Sequence, residues 1–137
     1  MTFIERSDFE TIEKSLNRFK VVAIVGPRQV GKSTLAKKML TNQDISLDLE
    51  RPSDLRKLSD PETFLSMHKE KLICIDEIQF SPDLFPVLRA LVDETDRKGQ
   101  YLILGSASPN LLKQSSETLA GRINYIELKP FSIEEVG

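Results

Sequence analysis

The run Val21-Val22-Ala23-Ile24-Val25, followed at once by Gly26-Pro27-Arg28-Gln29-Val30-Gly31-Lys32-Ser33, constrains this chain more than any other feature. Continuous apolar residues, nearly all β-branched, predict a strand buried on both faces, as in a parallel sheet. Leu35 and Met39 lie one helical turn apart and predict a helix over 32–40. Parallel strands need crossover connections, so this strand, glycine-rich turn and helix already point to an α/β architecture.

The rest of the chain repeats the alternation. Ser7 and Glu10 form a capping-box pattern before a helix whose apolar positions are Phe9, Ile12, Leu16 and Phe19. Residues 44–49 alternate as a second strand. Short helices are expected over 54–58 and 62–67, each after a turn signal, Pro52-Ser53 and Asp60-Pro61. Leu72 to Asp76 reads as a third strand. Leu84, Leu88, Leu91, Val92 and Thr95 line a helix running toward Gly99, with Asp83 as its cap and Pro86 tolerated in its first turn. Tyr101 to Leu104 and Ile123 to Leu128 complete the set of strands. With 137 residues, the chain is expected to form one domain over 1–137.

Gly26 to Ser33 fits G-x-x-x-x-G-K-[ST] at every fixed position, in the strand-to-helix context the motif requires. Such a loop turns successive backbone N–H groups inward around phosphates. The helix after it presents unpaired N–H groups and a partial positive charge to an anion. The nine residues Gly26, Pro27, Arg28, Gln29, Val30, Gly31, Lys32, Ser33 and Thr34 are therefore the candidate nucleotide-binding segment. Within it Lys32 is placed to bridge the β- and γ-phosphates, and the Ser33 hydroxyl to ligate Mg²⁺. The bland alternative, a glycine turn followed by a surface lysine, leaves the full set of matches unexplained.

The third strand ends in Asp76 and Glu77. Ligands bind beyond the carboxyl ends of parallel strands, so Asp76 is the second candidate Mg²⁺ ligand and Glu77 the candidate general base for an attacking water. Ser106, just past the fourth strand, is a candidate contact to the γ-phosphate or that water if this strand lies between the first and third. Ser108 is the weaker candidate, since a serine before Pro109 also caps a helix. Arg122 is a candidate charge stabiliser, set against an ordinary surface arginine. His68 reads as solvated and Cys74 as a small buried hydrophobe.

Gly26 to Leu35, Ile75 to Gln79, Leu104 to Ser108, Leu119 to Arg122 and Leu128 to Ser132 occur in the order that resembles the N-terminal ATPase domain of the predicted bacterial and archaeal AAA-type ATPases. The resemblance runs from about Ile4 to Val136. It implies a P-loop NTPase sandwich of three layers, with a mostly parallel five-stranded sheet of order 5-1-4-3-2. It makes Gly26 to Ser33 the Walker A segment, Asp76 and Glu77 the Walker B pair, Ser106 a sensor-like residue and Arg122 a conformational sensor or finger, in cis or from a neighbouring subunit. It also implies that 1–137 is the N-terminal part of a longer protein.

The expected activity is Mg²⁺-dependent ATP binding and hydrolysis coupled to conformational change. A nucleotide-binding switch that does not hydrolyse is the alternative. A guanine-specific site is not favoured, because no Asn-Lys-x-Asp or Thr-Lys-x-Asp segment occurs. A small-molecule kinase is not favoured either, because no long Arg-rich lid follows the third strand. Lys plus Arg is 19 and Asp plus Glu 21, so the formal net charge of −2 does not favour nucleic acid as a partner of this domain. ATP, and a homo-oligomeric or other protein partner, are expected instead. A single cysteine excludes an intrachain disulfide and a zinc site built on cysteines. No apolar run approaches the roughly 20 residues of a membrane span, and the expected setting is cytoplasmic.

Overall fold

Strand alternation sorts the apolar residues into two cores. In the computed structural model, which describes residues 6–27, 32–106 and 108–128, strand β1 (Val21–Val25) is buried along its whole length. Val21 and Ala23 face one core and Val22 and Ile24 the other. The same division holds in β3 (Ile73–Asp76), where Ile73 and Ile75 oppose Cys74, and in β4 (Tyr101–Gly105), where Tyr101 and Ile103 oppose Leu102 and Leu104. With β2 (Ile45–Asp48) and β5 (Ile123–Glu127), these strands form one five-stranded sheet in the order β2-β3-β4-β1-β5. Every pairing is parallel. This is the expected 5-1-4-3-2 order, counted from the other edge.

Helices cover both faces, which makes the three layers. Helix α1 (Arg6–Leu16) and helix α2 (Lys32–Met39) seat Ile12, Leu35 and Ala36 in the core with Val22 and Ile24. On the opposite face, Leu58, Leu65, Leu84, Phe85, Leu88, Leu111 and Leu119 pack against Val21, Ala23, Ile75 and Ile103. They come from or directly follow α3 (Pro52–Lys57), α4 (Pro61–Met67), α5 (Leu84–Val92) and α6 (Pro109–Thr118). A fully buried leucine or phenylalanine is worth about 1.5–3 kcal/mol, so these two cores supply the main driving force for folding.

The helix starts follow their punctuation. Proline opens α3, α4 and α6, where the missing N–H costs no intrahelical bond. Asp60 caps α4 by accepting from the Thr63 backbone N–H. Asp83 stands at the cap position of α5 without a side-chain cap bond, and Pro86 falls in the first turn as expected. Two expectations are corrected. Ser7 lies inside α1, whose described start is Arg6, so it does not stand before the helix as a cap. Helix α5 ends at Val92, leaving Thr95 exposed outside it rather than on its apolar face. The physical reason is the buried Gln100 side chain, whose Nε2 donates to the carbonyls of Val92, Thr95 and Arg97 and fixes an irregular turn there. Gly99, at φ +67°, then passes so close to α1 that a Cβ would lie 3.0 Å from the Leu16 carbonyl oxygen.

Candidate active site at the carboxyl end of the sheet

β1, β3 and β4 are neighbours, so their carboxyl ends converge. At the end of β1 the chain is pinned on both sides: the Gly26 N–H donates to the Gly105 carbonyl at 3.2 Å, and Leu128 N–H donates to Val25 O at 2.9 Å. Gly26 takes φ +154°, a backbone conformation that disfavours a side chain. The chain leaves the sheet here into the motif loop. Arg28, Gln29, Val30 and Gly31 lie outside the described residues, as does the segment after Leu128.

Lys32, the first residue of α2, is only 3% exposed. Its ammonium donates to Gly26 O at 2.6 Å and to Pro27 O at 3.0 Å, so it lies back along the entrance of the loop. Ser33 and Thr34 follow on the exposed first turn of α2. The Ser33 hydroxyl donates to Asp76 Oδ2 at 2.6 Å across 43 residues of sequence. The two residues expected to hold Mg²⁺ are thus in contact. The other carboxylate oxygen, Asp76 Oδ1, is buried and has no hydrogen-bond partner among the described residues. A buried acceptor without a donor costs about 1–3 kcal/mol, which suits a group that serves a ligand.

Glu77 adopts φ 60° and ψ 48°, the left-handed region. For a non-glycine residue this costs of order 1–3 kcal/mol, and such strain concentrates at functional positions. Glu77 is 8% exposed. It precedes a 3₁₀ turn over Ile78–Phe80, from which Gln79 Nε2 donates to Glu77 Oε2 at 2.6 Å. Gln79 ends the Ile75 to Gln79 segment and has no role in its sequence pattern. Polar residues within two positions of a candidate base were the available signal.

β4 does lie between β1 and β3, the condition set for Ser106. Ser106 follows β4 directly and is half-buried. Ser108 takes the blander of its two readings: its hydroxyl accepts from Leu111 N–H as the cap of α6. Arg122 does not join the site. It precedes β5, and its carbonyl accepts from Val21 N–H at the amino end of β1. At about 3.3 Å per strand residue, that is roughly 16 Å from the start of the loop. A role for Arg122 in cis is therefore corrected. Its guanidinium is instead bidentate on Asp93, at 2.7 and 2.8 Å. His68 is half-buried rather than fully solvated, with its ring 5.0 Å from that of Phe64. Cys74 is buried as expected, and burial pushes its thiol up to about 12.

Among the described residues no three His, Cys, Asp or Glu side chains form a metal cage. No described helix is long and apolar enough to cross a membrane.

An all-parallel sheet of this order, with strand β1 leading into helix α2 and an acid at the end of β3, defines a P-loop NTPase fold. Residues 18–137 match the family described as AAA domain, and the chain belongs to that family of nucleotide-binding ATPase domains. It is 45% identical over 136 residues to uncharacterized proteins of Mycobacterium bovis and Mycobacterium tuberculosis. The match covers 98% of this chain and 31% of each relative, so the chain spans about a third of their length. Its fold is also similar to a chain in the structure of Drosophila ORC bound to DNA. That similarity has a TM-score of 0.50 at 14% identity, and covers 96% of this chain and 95% of the other. At that identity it is a likeness of fold.

Proposed function

We propose that this domain binds Mg²⁺-ATP and hydrolyses it, as the ATPase unit over 1–137 of a longer cytoplasmic protein whose conformation turnover changes. The observation that carries the reading is the contact of Ser33 with Asp76, whose second carboxylate oxygen is buried without a partner among the described residues, next to a strained Glu77. Ser33 and Asp76 would hold Mg²⁺, which supplies charge neutralisation along the triphosphate when bound. Lys32 shifts from the Gly26 and Pro27 carbonyls to phosphate, exchanging dipoles for a full negative charge. Glu77 orients and deprotonates the attacking water. Ser106 hydrogen-bonds the γ-phosphate or that water. Residues 26–31 and Thr34 cradle the remaining phosphate oxygens. Arg122 enters turnover only at the site of a neighbouring copy.

The test is Mg²⁺-dependent phosphate release from ATP over a range of protein concentrations, with Glu77→Gln beside it. Loss of a general base lowers the rate by about 10²–10⁴-fold while ATP binding persists. Binding of ATP with no release above the variant would overturn hydrolysis and leave a nucleotide-binding switch.

A further inference from the structure

We propose that Gln79 is a positioning residue for Glu77, seated in a notch that exists because residue 105 is glycine. The inference rests on the hydrolysis reading and adds to it a tie between the base and strand β4. Gln79 Nε2 donates to Glu77 Oε2 at 2.6 Å. A carboxylate only accepts, so the nitrogen must face it and the amide oxygen must face away. That oxygen, Oε1, is buried and has no donor among the described residues. It lies against Gly105: a Cβ built there would be 2.9 Å from Gln79 Oε1 and 3.0 Å from both Ile78 Cγ2 and Leu111 Cδ2. Gly105 in turn accepts from Gly26 N–H and precedes Ser106. One amide therefore spans from the base to the strand end that also anchors the phosphate loop.

This geometry separates positioning from plain structure. An amide kept for stability is satisfied at both ends, and half of this one has no partner among the described residues. Replacing it by Met removes the unpaired oxygen and also the hydrogen bond to Glu77, changes of opposite sign, so stability should move little. The same replacement removes one hydrogen bond that orients the Glu77 carboxylate, and a base displaced by about 1 Å loses up to about a hundredfold in rate.

The experiment measures kcat, KM and melting temperature for the chain and for Gln79→Met, alone and combined with Glu77→Gln. Expected is a tenfold to hundredfold fall in kcat, with KM and the melting temperature nearly unchanged. In the Glu77→Gln background, Gln79→Met should have no further effect, because both act through one carboxylate. Gly105→Ala should reproduce the kcat loss by crowding the amide, and Gln79→Met decides the matter if that variant does not fold. Unchanged kcat in Gln79→Met, or kcat, affinity and melting temperature falling together, overturns the positioning role. If the unsubstituted chain shows no Glu77-dependent release, the hydrolysis reading falls first and this one with it.

Discussion

The two ends of the sheet are built on opposite polar logic. At the amino end, every conspicuous polar side chain is used. Gln100, 4% exposed, donates to three carbonyls at and beyond the end of α5. Arg97 donates to the carbonyls of Lys69, Lys71 and Gly99, tying two loops together. Arg122 grips Asp93 with two bonds. At the carboxyl end, two buried acceptors, Asp76 Oδ1 and Gln79 Oε1, have no donor among the described residues, and Glu77 sits in a left-handed conformation. One sheet carries both. The difference separates what holds the fold from what is left poised to meet a ligand.

Substitutions at the carboxyl end should change affinity or rate and spare stability, and those at the amino end the reverse. The largest effect on affinity is expected from Lys32→Ala. Truncating one partner of a desolvated charge pair costs about 2–5 kcal/mol, so affinity for a fluorescent ATP analogue should fall by roughly thirty- to several-thousand-fold. The melting temperature without nucleotide should change much less, since removal of a buried charge offsets the loss of its hydrogen bonds to the Gly26 and Pro27 carbonyls. A drop in melting temperature as large as the drop in affinity would break the comparison, by making Lys32 a structural residue.

Gln100→Leu is the converse. It leaves buried carbonyls without a donor and should cost about 1–3 kcal/mol, read as a fall of several degrees in melting temperature. Affinity for the ATP analogue should not move. A loss of affinity would show that the two ends are coupled through β4.

The contrast between the ends also marks what the sequence disclosed. Strand runs such as Val21 to Val25 were legible because burial on both faces removes polar alternation. Ser33, Asp76 and Glu77 were legible because motif spacing and strand ends fix them relative to the loop. Gln79 was not legible as a partner of Glu77, because its place depends on a missing Cβ at Gly105, which precedes Ser106 far along the chain. The end of α5 was not legible, because a residue after the helix, Gln100, decides it. Arg122 was open between its own site and a neighbour's, and its position before a parallel strand already put it at the end opposite its own phosphate loop.

Arg122→Ala gives the smallest expected effect and tests that placement. The pair is exposed, at 26% for Arg122 and 44% for Asp93, so solvent and salt screen it and the melting temperature should fall only slightly. The hydrogen bond from Arg122 holds the Asp93 carboxyl below its ordinary value of 3.8. A carboxyl depressed in the folded state adds stability above its unfolded pKa and loses it as pH falls through the folded value. The difference in melting temperature between the chain and Arg122→Ala should therefore be full at neutral pH and shrink below about pH 4. Phosphate release tells the two remaining roles apart. If Arg122 acts only in the fold, Arg122→Ala releases phosphate like the unsubstituted chain at every protein concentration. If it reaches a neighbouring copy, specific activity of the unsubstituted chain climbs with concentration, and the variant loses that climb while keeping its rate at high dilution. A variant slower at high dilution would contradict the roughly 16 Å that separates Arg122 from its own chain's loop.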